Sequence, residues 1–385
     1  MTPYSRQNIS KEDISAVSKV LKSNFLTQGP NVPDLEKKIK KYVKSKFALA
    51  VNSATSGLHL SCLALNVKKN DVVWTVPNTF AASANCALNC GATVDFVDID
   101  PETLNICTIE LEKKLKKAKK LKKLPKVVIP VHFSGQPTEQ KKIWSLAKKF
   151  NFKVIEDASH SLGATHYNEK VGSCKWSDIT VFSFHPVKII TTGEGGMVLT
   201  NNRKFAEKIS QLRNNGITKN NFIFKKNKNK PWYYEHQFNG YNYRMNDISA
   251  ALGIAQFKRL NFFVKRRNEI AKKYREGLKN IPLKFQKVMK YNFSSYHLLP
   301  IQFNLKKTKL DHLQIFEKFR RNNYFVNLHY MPLHLSPYFR KKGYKKNDFR
   351  NSEIYASAVV SVPIFIGLKN TQVKKIINLI KTFYK

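Results

Sequence analysis

The segment SFHPVKIITTGEGG (183–196) places a lysine between one apolar run and a glycine-rich stretch that feeds a second. Held at a strand end beside closely approaching backbone, Lys188 could form a Schiff base if desolvation or nearby positive charge lowers its ammonium pKa. The chain has 56 lysines, so a lysine near a turn is also an ordinary finding. VIEDASHSLGA (154–164) puts Asp157 at the end of an apolar run, where open α/β sheets build their sites. A carboxylate there could pair with the protonated ring nitrogen that lets a pyridoxal cofactor act as an electron sink. It could equally cap the turn that follows. NSATSGLHL (52–60) passes from strand to helix through small hydroxyl residues. The free N–H groups and positive dipole end of such a helix start suit a phosphate, although plain Ser/Thr capping explains the same residues. Phe80, in PNTFAAS, could stack on a flat ring or serve the core.

These residues need a scaffold, and the hydrophobic pattern supplies one. Short apolar runs at 47–51, 71–76, 93–99, 126–131 and 152–157 read as strands, with helical stretches at 56–66, 79–89, 109–123 and 138–150 between them. Strand–helix alternation predicts an α/β fold with a mostly parallel sheet covered on both faces. The runs 179–184 and 196–200 add two strands close together in sequence. Near the N-terminus, residues 10–23 open with a capping box, Ser10 to Asp13, and carry Ile14, Val17, Val20 and Leu21 at helical spacing. Beyond 200 the texture changes. A strongly helical stretch, 246–279, carries Ile248, Leu252, Ala255 and Leu260 along one stripe. Residues 293–385 mix a strand at 297–303 with helices at 308–321 and 370–384, as in a smaller α+β unit. The expected division is a large unit, 1–245, and a small C-terminal one, 246–385. The Lys- and Asn-rich segment 219–230 is expected to be a mobile loop.

Composition narrows the function classes. The chain has 385 residues, 68 of them Lys or Arg against 26 Asp or Glu, for a formal charge of +42. Hydrophobic residues make up 42% and aromatics 12%, enough for a large core and too many for a disordered polybasic chain. Only 12 of the basic residues are Arg. A reader of phosphates and base edges would use more of that forked, bidentate donor. The densest run, 111–126, spaces Leu111, Leu115, Ala118 and Leu121 as one helix face and sets its lysines between them as a solvated one. Five cysteines form no CxxC pair, and Cys86 and Cys90 read as one face of a buried helix. Reduced, buried thiols are expected. No metal site is expected, no secretory signal is visible and no run of about 18 apolar residues exists, so a cytoplasmic location follows.

Taken together and in this order, the motifs resemble the DegT-type sugar-nucleotide aminotransferases, pyridoxal-phosphate enzymes of fold type I. The resemblance runs from FLTQGPNVPDLE (25–36) through GYNYRMNDISAALGIAQ (240–256) to LHYMPLH (328–334). Within that family the chain looks most like the PseC-like enzymes, through LTQG, NSATS, KVG and the lysine segment. The resemblance implies that Lys188 holds pyridoxal 5'-phosphate covalently and shuttles the proton. Asp157 would pair with the pyridine nitrogen, and His160, where many relatives carry Gln, would lie near the ring and its phenolic oxygen. Phe80 would stack on the ring, while Ala54, Thr55 and Ser183 hold the phosphate. Asn242 would reach the cofactor phosphate of the neighbouring subunit, which implies a homodimer with shared sites. Tyr4, Asn24, Phe25, Leu26, Thr27, Leu328, His329, Tyr330, Met331 and Tyr338 match positions lining a nucleotide-sugar pocket, and Arg244 is a candidate for the diphosphate. Asn215 departs from the family pattern, which has His there.

The activity so implied moves an amino group from L-glutamate to C4 of a UDP-linked 4-keto-6-deoxy-N-acetylhexosamine. The alternatives are the same chemistry on a GDP- or dTDP-linked sugar, and a non-catalytic nucleic-acid-binding protein on this scaffold. Related sugar dehydratases carry His in place of the lysine, so Lys188 favours transamination. No nucleic-acid or membrane partner is expected.

Overall fold

The computed structural model describes residues 1–218 and 230–384. The segment expected to be mobile therefore lies, except for Lys230, outside the described residues.

Seven strands form the central sheet: β1 (Phe47–Val51), β2 (Val72–Thr75), β3 (Thr93–Phe96), β4 (Val127–Val128), β5 (Lys153–Asp157), β6 (Ile179–Ser183) and β7 (Gly196–Thr200). Their order is β1-β7-β6-β5-β4-β2-β3. β2 to β6 run parallel, and β7 is antiparallel to both β6 and β1. Every residue of β6 and β7 is buried. That explains their unbroken apolar sequence: both faces are covered, so nothing selects for alternation.

Four of the covering helices match the expected stretches to within three residues at each end, whereas Arg203–Leu212 was not among them. On one face α1 (Ala54–Ala64) packs with α2 (Ala82–Leu88) and α3 (Arg203–Leu212) over Val51, Val181 and Val198. Another cluster joins α4 (Thr108–Lys120) and α5 (Gln140–Phe150) to Trp74, Val128 and Val154. In α4 the stripe is shorter than the spacing suggests. Leu111, Leu115 and Ala118 are buried, but the helix ends at Lys120 and Leu121 is 58% exposed. Cys86 is buried in α2, whereas Cys90 lies beyond its end and is half-buried, so the two do not share a helix face. The helix Lys11–Leu21 has the full Ser10–Asp13 capping box, yet it buries only Asp13 and Val20. Ile14 and Leu21 stay 60% and 57% exposed.

The expected long helix 246–279 is two helices, Asp247–Lys258 and Leu260–Gly277, separated at Arg259. The first packs on Lys11–Leu21 and on Asn31–Val43. The second leads into a three-stranded antiparallel sheet of Leu283–Phe285, Leu299–Phe303 and Val359–Val362. Helices His312–Arg321 and Asn370–Thr382 close that sheet through Ile315, Phe319, Ile376 and Ile380. Thr2–Pro3 pairs in parallel with Tyr324–Phe325 and carries Tyr4 to the side of His329, with ring centroids 4.9 Å apart. No helix among the described residues is long and apolar enough to cross a membrane.

Candidate active site

Strand register brings the predicted chemistry together. Gly196 pairs with both Ser183 and Val51, and Asp157 pairs with Val181. The C-terminal ends of β1, β5 and β6 therefore meet the start of β7 on one edge of the sheet, the usual position of sites in such folds. A cavity of about 440 Å³ opens there. It is lined by Lys188, Asp157, His160, Ser183, Ala54, Thr55, Phe80, Tyr4, Leu328, His329 and Tyr330, all of them expected from the sequence.

Asp157 is held as an acceptor. It is 5% exposed, its Oδ2 accepts from Ser83 Oγ at 2.6 Å, and its Oδ1 accepts from the Ser159 N–H at 3.1 Å. Ser83 Oγ also lies 2.9 Å from Thr79 Oγ1. Lys188 is half-buried in the turn after β6, where its N–H donates to His185 O at 2.9 Å. Desolvation lowers its pKa from 10.5 to about 8, against the opposing pull of Asp157. A lysine so tuned offers free amine near neutral pH.

A phosphate fits the start of α1. Ser53 caps the helix, with its Oγ accepting the Ser56 N–H at 3.1 Å. The N–H groups of Ala54 and Thr55 precede the first intrahelical bonds and remain free for an anion. Gly196 makes room: a Cβ there would stand 2.8 Å from Ala54 N, 2.8 Å from Phe182 O and 2.9 Å from Ser53 C. Ser183, 8% exposed, adds its hydroxyl on the neighbouring strand. With a carboxylate, a lowered lysine and an anion cradle in one cavity, these residues suit pyridoxal phosphate.

Histidines also line the cavity. His160 Nδ1 accepts the Ser134 N–H at 3.2 Å and Nε2 lies 3.3 Å from Tyr330 Oη. Burial, Lys188 and His329 push the His160 pKa well down. His329 Nδ1 lies 2.9 Å from Ser361 Oγ, and burial with Lys188 nearby lowers it to about 3. Both rings are therefore neutral at physiological pH. His297 lies against His160, with ring centroids 4.4 Å apart and the ring planes tilted by 46°. Phe80, 62% exposed, presents its ring at the mouth.

Eight expected residues lie elsewhere. Asn24, Phe25, Leu26 and Thr27 form an exposed loop. Asp247, fully buried, fastens it: Oδ2 accepts the Gly29 N–H at 2.7 Å, Oδ1 the Asn31 N–H at 2.8 Å, and its own N–H donates to Leu26 O at 2.9 Å. Asn242 is exposed. Arg244 lines a separate cavity of about 500 Å³ with Gln28 and Asn214. There Nη1 donates to Asn214 Oδ1 at 2.8 Å, and the buried Nε has no partner among the described residues. Met331 is 65% exposed, and Tyr338 lines a third cavity beside β3. Conversely, Ser53, Thr79, Ser159, His185, Glu194 and Asn327 line the first cavity without having been singled out. Ser83 also escaped notice, because its bond to Asp157 spans 74 residues.

Known proteins share this architecture. The UDP-4-amino-4,6-dideoxy-N-acetyl-beta-L-altrosamine transaminase of Campylobacter jejuni subsp. jejuni serotype O:23/36 (strain 81-176) is 39% identical over 368 residues, 94% of this chain and 92% of that one. The structure of Helicobacter pylori PseC, an aminotransferase involved in the biosynthesis of pseudoaminic acid, superposes with a TM-score of 0.89 at 30% identity, covering 99% of both chains. The sugar aminotransferase Spr1654 from Streptococcus pneumoniae, in its PMP-form, gives a TM-score of 0.90 at 25% identity over 100% of this chain and 99% of that one. The family model described as DegT/DnrJ/EryC1/StrS aminotransferase matches residues 7–381. The chain belongs to the DegT/DnrJ/EryC1/StrS aminotransferase family and has the aminotransferase fold.

Proposed function

We propose that this aminotransferase uses pyridoxal phosphate to move an amino group from L-glutamate to C4 of a UDP-linked 4-keto-6-deoxy-N-acetylhexosamine. The product would serve a pseudaminic-acid-type pathway, in the cytoplasm. One observation carries the reading: the lowered Lys188, the acceptor Asp157 and the free start of α1 converge on a single cavity. Likeness to the Campylobacter transaminase supports the choice of sugar.

When bound, the cofactor supplies an electron sink that lets a C–H bond beside the reacting nitrogen ionise. Asp157, kept an acceptor by Ser83 and Ser159, would stabilise positive charge at the ring nitrogen. Ala54, Thr55 and Ser183 would hold the phosphate, and Phe80 would stack on the ring. Lys188 Nζ takes the proton from Cα of glutamate and delivers one to C4 of the sugar, which sets the stereochemistry there. Asn242, Arg244 and the 24–27 loop act on the site of a second copy in a homodimer. The same reading divides the chain into a large cofactor-binding unit, 1–245, and a small unit, 246–385.

The test is a panel of UDP-, GDP- and dTDP-linked 4-keto sugars incubated with glutamate and scored by mass. Amination of the UDP sugar is expected. Reaction with a GDP or dTDP sugar alone would reassign the acceptor, and a protein that takes up no pyridoxal phosphate would end the reading.

A further inference from the structure

His160 and Tyr330 share the cavity wall, and the hydrogen bonds between them have a fixed direction. A main-chain N–H only donates, so the Ser134 N–H makes His160 Nδ1 the acceptor. A neutral imidazole that accepts at Nδ1 carries its single proton on Nε2. Nε2 lies 3.3 Å from Tyr330 Oη, so the ring donates and the phenol oxygen accepts. The Tyr330 proton is thereby left out of the contact, on a side chain lining the same cavity as Lys188 and Asp157. The tyrosine cannot easily turn away. Its main-chain N–H donates to Asn78 Oδ1 at 2.9 Å, and its ring lies 22° from the imidazole plane. Burial and the Asp157 charge keep the phenol protonated.

We propose that Tyr330 is the hydrogen-bond donor to the carbonyl oxygen at the reacting carbon, and that His160 is a positioning residue acting through it. The inference deepens the proposed function and rests on it. Both the keto sugar and the 2-oxo acid must place a carbonyl within reach of Lys188. That lysine is committed to the carbon, and Ser183 and Thr55 are assigned to the phosphate. Tyr4 lines the wall too, but among the described residues no hydrogen-bond partner orients its hydroxyl. A donor fixed before the reaction polarises a carbonyl without reorganising, and loss of one such donor typically costs about a hundredfold or more in turnover.

Glutamine can replace both functions of His160, with Oε1 accepting from Ser134 and Nε2 donating to Tyr330, whereas phenylalanine can do neither. Wild type, Y330F, H160Q, H160F and the H160F/Y330F double variant should each be loaded with pyridoxal phosphate and assayed with glutamate and the UDP-linked 4-keto sugar. Y330F and H160F should lose about a hundredfold in kcat while keeping the cofactor's visible absorption. H160Q should restore most of what H160F loses, with an unchanged pH profile. The double variant should be no slower than either single one, as for residues acting as a unit. Separately from activity, 15N NMR of the cofactor-free protein at neutral pH should show His160 protonated at Nε2 alone, with that signal shifted in Y330F. A proton on Nδ1, an H160Q as impaired as H160F, or losses that multiply in the double variant would overturn the inference. Wild-type turnover with Y330F unimpaired would overturn it alone. A wild type that aminates no 4-keto sugar would bring down the proposed function and this inference with it.

Discussion

Lys188 must shed a proton before its nitrogen can combine with an aldehyde, and the site moves that event to about pH 8. Cofactor uptake by the apo-protein should therefore speed up about tenfold per pH unit below 8 and level off above it. Stopped-flow absorbance would read this directly, and a rate still climbing at pH 10 would show an ordinary lysine. The sign for stability follows. Folding holds the pKa below 10.5, so the cost of a charged Lys188 is complete below about pH 8 and is relieved as pH rises toward 10.5. Asp157→Asn removes the charge while keeping the shape. A hydrogen bond to a charged group contributes about 1.5–3 kcal/mol, so turnover should fall by roughly ten- to a hundredfold, with the cofactor still bound. Near-normal kcat in D157N would remove its role. Asp157 was legible because it ends an apolar run, and Lys188 because it stands between such a run and a glycine-rich stretch. The Tyr330 geometry was not, since its contact with His160 spans 170 residues and only the folded chain supplies it.

The same distinction holds for whole elements. Strand–helix alternation made the sheet readable, because parallel strands buried on both faces show as plain apolar runs. The long stretch 246–279 misled because its apolar stripe continues across Arg259, where the helix axis is interrupted. Two elements invite tests. In Gly196→Ala the new methyl group would meet Ala54 N and Phe182 O at 2.8 Å, so the start of α1 must back away from β7. Overpacking of this kind costs about 1–3 kcal/mol. A lower melting temperature and weaker cofactor retention are expected, the latter read by dialysis and absorbance; unchanged retention would detach Gly196 from the cradle. Asp247→Asn puts an amide among the N–H donors of Gly29 and Asn31 and loosens the 24–27 loop. Its KM for the sugar nucleotide should rise while the cofactor spectrum and the glutamate half-reaction stay as in wild type. An unchanged KM would mean that the loop plays no part in sugar binding.

At the scale of the whole molecule, the +42 charge is spread as solvated lysine faces such as that of α4, whose Lys113 and Lys116 pair at the surface with an exposed Glu110 and a half-buried Glu112. Such pairs are worth little, and the field they leave is screened beyond about 10 Å at ordinary salt. It does not explain the site, whereas the scatter of the site residues has a more specific explanation. Asn242, Arg244 and the 24–27 loop stand away from the cavity of their own chain, exposed or lining another hollow. If they serve the cavity of a second copy, two inactive variants must be able to repair each other. In a dimer of K188A with N242A/R244A, one site inherits both defects and the other inherits neither. Random pairing makes about half of the dimers mixed, and each holds one sound site of two, so co-expression should restore about a quarter of wild-type activity. Each variant alone should stay near zero. If Asn242 and Arg244 act within their own chain, every site in the mixture keeps a defect and no activity returns.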